Sequence, residues 1–187
     1  MKITIDRNLI IAVQKHEQEM SAMIEIFNAH NAGLLSVGIS ASNRVENQLD
    51  GENIQPLESF LEECNAAGLR NPEVIDYPLD WEMGLWEHGI VSHEAYDLEL
   101  KIHAILHPRV PTFLSESHPE NIRRKVKNRK CDVFAMWGHI WFGRDAFLTK
   151  DDRFIKRKSH LEKLGARGIP RPRDFLEANP ASVARMQ

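Results

Sequence analysis

The sequence has few cysteines and no long apolar run. Only two of its 187 residues are cysteine, which is too few for a disulfide scaffold or a cysteine-based zinc site and suits a reducing compartment. The first residues lack the apolar core of a signal peptide, and no apolar run approaches the roughly 20 residues that cross a bilayer. These absences predict a soluble, cytoplasmic protein that has no membrane partner.

Sequence motifs of nucleophilic catalysis and of nucleotide binding are also missing. The chain contains neither a G-x-S-x-G motif nor a Walker loop, and it has no internal repeat. These absences disfavour a serine hydrolase of that type and a P-loop nucleotidase. With 42% hydrophobic residues, the chain can bury the core of a single domain.

The net charge of −3 conceals a division along the chain. Residues 1–122 hold 7 basic and 20 acidic residues, a net of −13, whereas residues 123–187 hold 17 and 7, a net of +10. The basic half favours a polyanionic partner such as nucleic acid, although a solvated helix face paired with the acidic half explains it equally well. The residues predicted to bind nucleic acid are Arg123, Arg124, Lys127, Lys150, Arg153, Lys156 and Arg157.

The order of the predicted elements is that of an α/β protein. Strands are predicted at 2–5, 34–39, 146–148 and 168–170. Helices are predicted at about 8–29, 57–67, 80–88, 92–106, 120–142, 151–164 and 173–178. This order predicts one domain with a three-layer α/β/α fold around a central, mostly parallel sheet. Residues 69–121 are expected to form a helical insertion.

Acidic residues lie at or near the carboxyl ends of the predicted strands. Asp6 directly follows the first strand, Glu46 lies shortly beyond the second, and Asp151 follows the third. Asp132 lies on the helix that precedes the third strand. Because the carboxyl ends of parallel strands meet at one edge, these four acids are predicted to converge. Such carboxylates repel one another unless a cation neutralises them, and hard oxygen ligands select Mg²⁺ or Mn²⁺.

Each acid also has a structural interpretation. Asp6 and Asp151 could cap the helices that follow them, and Asp132 could be a first-turn acid favoured by the helix dipole. The identity of the second acid is open between Glu46, Glu52 and Glu58.

Two histidines offer a rival metal site. His103 and His107 are four residues apart, so a helix would place both on one face, as a metal pair requires. No acid lies between them, however, and Pro108 follows at once. The pattern therefore favours ordinary core or surface histidines.

Three stretches resemble the PIN-domain ribonucleases. ITIDRNLI (residues 3–10) is similar to the opening strand of that family and its Asp-x-Asn signature. DVFAMWGHIWFGRDAFLTKDDRF (residues 132–154) resembles its third acid, the following helix, and the strand that ends in Thr-x-Asp-x-x-Phe. GIPRPRDFLE (residues 168–177) looks like its final strand and Pro-x-x-Phe-Leu ending. The resemblance covers roughly the first 50 and the last 60 residues.

The resemblance implies a PIN-like, Mg²⁺- or Mn²⁺-dependent endoribonuclease. The implied metal ligands and catalytic residues are Asp6, Glu46, Asp132 and Asp151, and Asn8 and Thr149 are implied to hydrogen-bond to carboxylates or water. RNA is the expected substrate, with DNA as an alternative, and a homodimer or an inhibitory protein partner is compatible with this assignment. Two other functions stay open: a catalytically inactive PIN-like module that binds RNA or a protein, and a different α/β metal-dependent phosphohydrolase.

Overall fold

The computed structural model describes residues 1–45, 56–80, 87–113 and 119–180. Its strands are β1 (Lys2–Ile5), β2 (Ser36–Ser40), β3 (Glu73–Ile75), β4 (Tyr77–Pro78), β5 (Gly89–Ile90) and β6 (Ala146–Leu148). Its helices are α1 (Arg7–Gln14), α2 (Met20–Asn31), α3 (Leu57–Ala66), α4 (His93–Leu106), α5 (Glu120–Trp141), α6 (Asp152–Glu162) and α7 (Pro172–Ala178). A short 3₁₀ helix spans Ala41–Val45.

Four of the strands form one parallel sheet in the order β3-β2-β1-β6. Ile3 of β1 pairs with Val37 of β2 on one side and with Ala146 of β6 on the other. β4 and β5 form a separate parallel pair. The predicted α/β class and the mostly parallel sheet are therefore confirmed, and residues 1–45 and 119–180 supply most of the sheet and its helices.

Hydrophobic cores lie on both faces of the four-stranded sheet, because successive residues of a strand point to opposite faces. Ile3 and Ile5 of β1 belong to a core that also includes buried residues of α1, α2, α3 and α7. Phe147, between Ala146 and Leu148 on β6, belongs instead to a second core with residues of α4, α5 and α6. This division is consistent with three layers.

The single helix predicted for residues 8–29 is wrong, since the structure has two helices there. α1 ends at Gln14 and α2 begins at Met20. The intervening Lys15–Glu19 segment is polar and exposed, and His16 has a positive φ of 56°. A helix running through these residues would gain no core contact from them, so the chain turns here and α1 and α2 pack side by side.

The middle of the chain contains strands that the sequence did not predict. Residues 69–121 include α4, as expected, but also β3, which extends the main sheet, and the β4–β5 pair. Of the helix predicted near residues 80–88, residues 81–86 lie outside the described ranges, and the described residues at its two ends are not helical. Strands of two or three residues are too short to show alternation, and β3, β4 and β5 are not bulky apolar runs like the three-residue β6.

Residues 168–170, predicted as a final strand, are not a strand. The carbonyl oxygens of Gly168 and Pro170 still accept hydrogen bonds from the backbone nitrogens of Phe147 (2.8 Å) and Thr149 (3.4 Å) on the β6 side. Proline has no N–H to return, so the pairing stays one-sided at that position.

A buried arginine connects β1 to β3. Arg144 donates from Nη2 to the carbonyl oxygen of Ile3 at 2.7 Å, and its Nη1 lies 2.9 Å from Oε2 of Glu73. Gly38 leaves room for the guanidinium, because a Cβ at position 38 would lie 2.6 Å from Arg144 Nη2. The glycine thus allows a charged side chain to cross beneath β2.

Gly138 has a comparable packing role within α5. A Cβ there would lie 2.5 Å from Cγ2 of Ile75 and 3.2 Å from the carbonyl oxygen of Asp76. α5 can therefore approach the end of β3 closely despite the low helix propensity of glycine. Within the described ranges, no helix combines the length and the apolar character that a membrane span requires.

Candidate active site and the adjoining cationic cavity

Two of the predicted acids lie at the carboxyl edge of neighbouring parallel strands. Asp6 follows β1 and caps α1, with its side chain accepting from the backbone nitrogen of Asn8 at 3.3 Å. Asp151 follows β6 and caps α6, accepting from the backbone nitrogen of Arg153 at 2.8 Å. β1 and β6 are hydrogen-bonded neighbours, so the sheet brings both carboxylates to one edge.

Thr149 connects these two acids. Its hydroxyl donates to Oδ2 of Asp6 at 2.7 Å, and its Oγ1 accepts from the backbone nitrogen of Asp151 at 2.9 Å. Nδ2 of Asn8 also donates to Oδ2 of Asp6, at 3.3 Å. Thr149 and Asn8 therefore make the kind of carboxylate hydrogen bond that the sequence predicts. Burial raises the pKa of Asp6 against the opposing effect of these hydrogen bonds, and the charge of Asp151 raises it further.

Asp132 reaches the site from the middle of α5 and is not a first-turn acid, because the helix begins at Glu120. Its Oδ2 lies 3.2 Å from Nε2 of His107 and 3.5 Å from Nη1 of Arg129. Burial lowers the pKa of His107 to about 3, and the charge of Arg129 acts in the same direction. Burial thus disfavours a charge on His107, whose ring lies against a carboxylate that is itself only 8% exposed.

Arg153 bridges two of the acids. Its Nε donates to Oδ2 of Asp151 at 2.8 Å, its Nη2 also donates to that oxygen, and its Nη1 lies 3.0 Å from Oδ2 of Asp132. Burial raises the pKa of Asp151, whereas the charge of Arg129 and the direct contact of Arg153 favour its ionised form. Arg153, predicted to bind nucleic acid, thus neutralises the acidic site in this conformation.

The predicted convergence of four acids is seen only in part. Asp6 and Asp151 are joined through Thr149, and Asp132 and Asp151 are joined through Arg153. In residues 1–45, 56–80, 87–113 and 119–180, no three His, Cys, Asp or Glu side chains form a group that could hold a metal ion.

Of the three candidates for the second acid, only Glu58 falls within the described residues. Glu46 and Glu52 lie outside the described residues. Glu58 lines a separate surface cavity of about 860 Å³ beside Leu61 and Arg70, and that cavity contains none of the other predicted acids. The described part of the chain therefore supplies three of the four predicted ligands.

A cationic cavity adjoins the acids. It has a volume of about 310 Å³ and is lined by Asn8, Asn121, Arg124, Lys125, Asn128, Arg129, Asp132 and Arg153. Six of these residues belong to α5. The other five follow Asn121 by three, four, seven, eight and eleven positions, so all six lie on one face of the helix. Arg124 and Lys125 are exposed and make no ion pair within the described ranges.

Four residues of the cavity were among the predicted site residues: Asn8, Arg124, Asp132 and Arg153. The other four were not: Asn121, Lys125, Asn128 and Arg129. A usable signal existed. Counting back from Asp132 along the predicted helix in steps of three and four residues finds all five α5 positions that share its face.

The remaining predicted nucleic-acid residues are placed differently. Lys150 pairs with Glu17, and Lys156 lies 3.8 Å from Asp152. Arg123 and Lys127 do not line the cavity. Arg157 is close enough to influence the pKa values of Asp151 and His107.

Lys130 shows that the basic residues between positions 123 and 130 do not form one surface. It lies in the same run of basic residues, yet it is buried and pairs with Asp80. Its ammonium group also lies 6.0 Å from the ring centre of Phe113. Lys130 therefore belongs to the interior of the protein and is unavailable to a polyanion.

The rival histidine pair is buried against the site. The rings of His103 and His107 lie 5.9 Å apart, centre to centre. Burial lowers the pKa of His103, and the charge of Lys130 lowers it further. His107 contacts Asp132, but within the described ranges this pair is not part of a metal-binding group of three.

No protein-family model, curated protein or solved structure matches the chain significantly. Chemically, the arrangement combines hard oxygen donors with cations that favour a phosphate group.

Proposed function

We propose that the protein is a metal-dependent endoribonuclease with a PIN-like fold. The observation that carries the proposal is that the cationic cavity and the acidic site share residues. Asp132 belongs to both, and Asn8, which hydrogen-bonds to Asp6, also lines the cavity. A phosphate held by the cavity therefore lies beside the carboxylates, as hydrolysis of a phosphodiester requires.

The cavity residues account for substrate binding in this proposal. Arg124 and Lys125 are exposed cations on the same helical face as Asp132. They attract the phosphate backbone, and Arg129 adds a guanidinium next to Asp132. RNA is the proposed substrate, and DNA is the alternative that the same cleavage assay distinguishes.

The chemistry of the acids fits a hard divalent cation. Asp6, Asp132 and Asp151 offer carboxylate oxygens, and the charge of Asp151 helps to raise the pKa of Asp6, so the site favours added positive charge. These three residues, with Glu46 as the fourth, would hold Mg²⁺ or Mn²⁺. Such an ion supplies an activated water and stabilises charge on phosphate oxygens. Thr149 and Asn8 orient Asp6 for this role.

A cleavage assay tests the proposal. Wild-type protein and the Asp151→Asn variant are incubated with a mixed RNA pool and a matching DNA pool, in Mn²⁺, in Mg²⁺ and in EDTA. We expect cleavage of RNA that requires the metal and that falls in the variant by on the order of 100-fold or more, as when one charge-stabilising group is removed. Asparagine can still cap α6, so the change removes charge with little effect on folding.

The matched control is Asp174→Asn. Asp174 is an exposed acid in the first turn of α7, so its loss changes the net charge equally and should leave cleavage unchanged. Equal cleavage by wild type and Asp151→Asn would place the activity elsewhere or in a contaminant. Binding of RNA without cleavage in any metal would reject the nuclease.

One observation favours a second function, a PIN-like module that binds RNA without cutting it. Arg153 contacts both Asp151 and Asp132, and an arginine in that position competes with a cation for the carboxylates. In that case the cavity cations bind RNA equally well in Mn²⁺ and in EDTA. The assay above separates the two functions when RNA retention on a filter is measured beside cleavage.

A further inference from the structure

Arg153 stands between two sites of opposite charge. It lines the cationic cavity, and the same guanidinium contacts Asp151 and Asp132. Its side chain is 31% exposed, so it has access to the cavity as well as to the acids. One cation is therefore within reach of two competing groups, the carboxylates and any anion that enters the cavity.

We propose that the cavity is an anion site for a phosphate group and that its occupation draws Arg153 away from Asp132 and Asp151, which frees these acids to hold a divalent cation. The substrate phosphate and the metal would then bind cooperatively. This inference rests on the proposed nuclease function and adds a regulatory step to it: without a phosphodiester in the cavity, Arg153 keeps the metal site closed.

The contacts of Arg153 support its displacement. Nη1 is buried and lies 3.0 Å from Oδ2 of Asp132, yet it makes no hydrogen bond within the described residues. This ion pair lacks hydrogen-bond geometry, so a phosphate oxygen in the cavity would offer Nη1 a hydrogen bond as well as an opposite charge. Nη2 and Nε bind Asp151 from only two positions along the chain, and such a local contact can re-form when the anion leaves.

The composition of the cavity selects the ligand. Arg124, Lys125, Arg129 and Arg153 supply four cations against the single carboxylate of Asp132. Guanidinium groups bind tetrahedral oxyanions through paired hydrogen bonds. The amide of Asn128 also lines the cavity, and its Nδ2 group can donate to an oxyanion. The ligand class is therefore a phosphate group, and sulfate can stand in for it.

The experiment measures Mn²⁺ binding and not catalysis. Free Mn²⁺ is counted by electron paramagnetic resonance while it is added to the full-length chain, first in sodium chloride and then in sodium sulfate of equal ionic strength. For the wild type we expect sulfate to tighten Mn²⁺ binding by on the order of 5- to 10-fold, the lower range of couplings between sites. Any pairing of Mn²⁺ with sulfate in solution works against this result.

Two variants test the role assigned to Arg153. Arg153→Gln removes the competing guanidinium, so Mn²⁺ should bind about 10-fold more tightly in chloride, and sulfate should add little. Arg123→Gln is the matched control, because it removes the same charge from a position that does not line the cavity. It should bind Mn²⁺ as the wild type does in both salts. A circular dichroism melt of each variant verifies that it is folded.

The outcomes separate this inference from the proposed function. Mn²⁺ binding that sulfate leaves unchanged or weakens in the wild type overturns the coupling and leaves the nuclease standing, and this arm needs no variant to fold. Equal Mn²⁺ affinity of wild type and Arg153→Gln in chloride does the same. Failure of both proteins to bind Mn²⁺ in either salt overturns the coupling together with the metal-dependent function.

Discussion

The hydroxyl of Thr149 lies 2.7 Å from Oδ2 of Asp6, across the boundary between β6 and β1. Thr149 is fully buried, and Asp6 is only 6% exposed. Since the same hydroxyl oxygen accepts from the backbone nitrogen of Asp151, one side chain sets the relative positions of two acids on neighbouring strands.

Replacing Thr149 with valine should impair both folding and cleavage. Valine keeps the shape of threonine but removes the hydroxyl, so Oδ2 of Asp6 loses its shortest donor. We expect a loss of about 1–3 kcal/mol in the free energy of unfolding and a fall of about 10- to 100-fold in metal-dependent cleavage, as for groups that orient a metal ligand. Urea titration and initial cleavage rates measure the two effects.

Thr149→Ser provides the control for that prediction. Serine retains the hydroxyl, so it should recover most of the cleavage rate even if the missing methyl group lowers stability. A valine variant that cleaves at the wild-type rate would show that the hydrogen bond to Asp6 has no part in catalysis.

The cationic face of α5 predicts which substitutions change the salt dependence of RNA binding. Arg124→Gln removes one phosphate contact from the cavity, so the slope of log affinity against log salt for single-stranded RNA should become shallower by about 0.7. Arg123→Gln removes the same charge from the adjacent position, which does not line the cavity, and should change the slope little. Fluorescence anisotropy at several salt concentrations measures the slopes. Equal changes in the two variants would indicate a general charge effect.

His139 predicts how stability depends on pH. It is fully buried with its Nε2 2.8 Å from the carbonyl oxygen of Arg167, and burial lowers its pKa to about 4. In the unfolded chain His139 takes up a proton near its ordinary pKa of about 6.5, whereas burial keeps it neutral to a lower pH in the folded protein. The contribution of His139 to the free energy of unfolding is therefore complete above pH 6.5. It is lost as the pH falls from there toward 4, by up to about 3 kcal/mol.

Urea unfolding at pH 7.5, 6.0 and 5.0 checks this prediction in wild type and in His139→Gln. The variant should start less stable and lose less stability on acidification, since glutamine does not titrate. Parallel losses in the two proteins would assign the pH dependence to other groups, such as the buried His107, whose pKa is lowered to about 3.

Gly138→Ala should destabilise the protein although alanine is the better helix former. Helix propensity favours alanine by up to about 1 kcal/mol, but the added methyl would lie 2.5 Å from Ile75 Cγ2 and 3.2 Å from the backbone oxygen of Asp76. Overpacking of this kind costs about 1–3 kcal/mol, so the net effect on the free energy of unfolding should be negative. Ser159→Ala, on the exposed side of α6, is the control and should be neutral or slightly stabilising.

Local sequence patterns predicted the parts of the fold that depend on local contacts. β1 alternates between polar and apolar residues, and β2 and β6 lie in or overlap short apolar runs. The sequence predicted each of them within two residues of its observed bounds. Asp6 and Asp151 were correctly placed at strand ends because each follows its strand within a few residues. Their convergence then depends only on the adjacency of β1 and β6.

Local sequence patterns did not predict the contacts between distant segments. Lys130 is buried because Asp80, 50 residues away, pairs with it, and nothing in the basic run distinguishes it from its exposed neighbours. His107 meets Asp132 only because α4 packs on α5. Arg153 was predicted as a nucleic-acid residue from its charge alone, since its contact with Asp132 depends on how α6 lies against α5.

The side chains allowed at positions 38 and 144 depend on each other, because the guanidinium of Arg144 occupies the space next to Gly38 on β2. Any side chain at Gly38 would displace the guanidinium of Arg144, which holds the Ile3 carbonyl and Glu73. A relative of this chain that carries a larger residue at position 38 should therefore carry a smaller, uncharged one at position 144. Such a relative would also need no acid at position 73, so these three positions should change together over evolution.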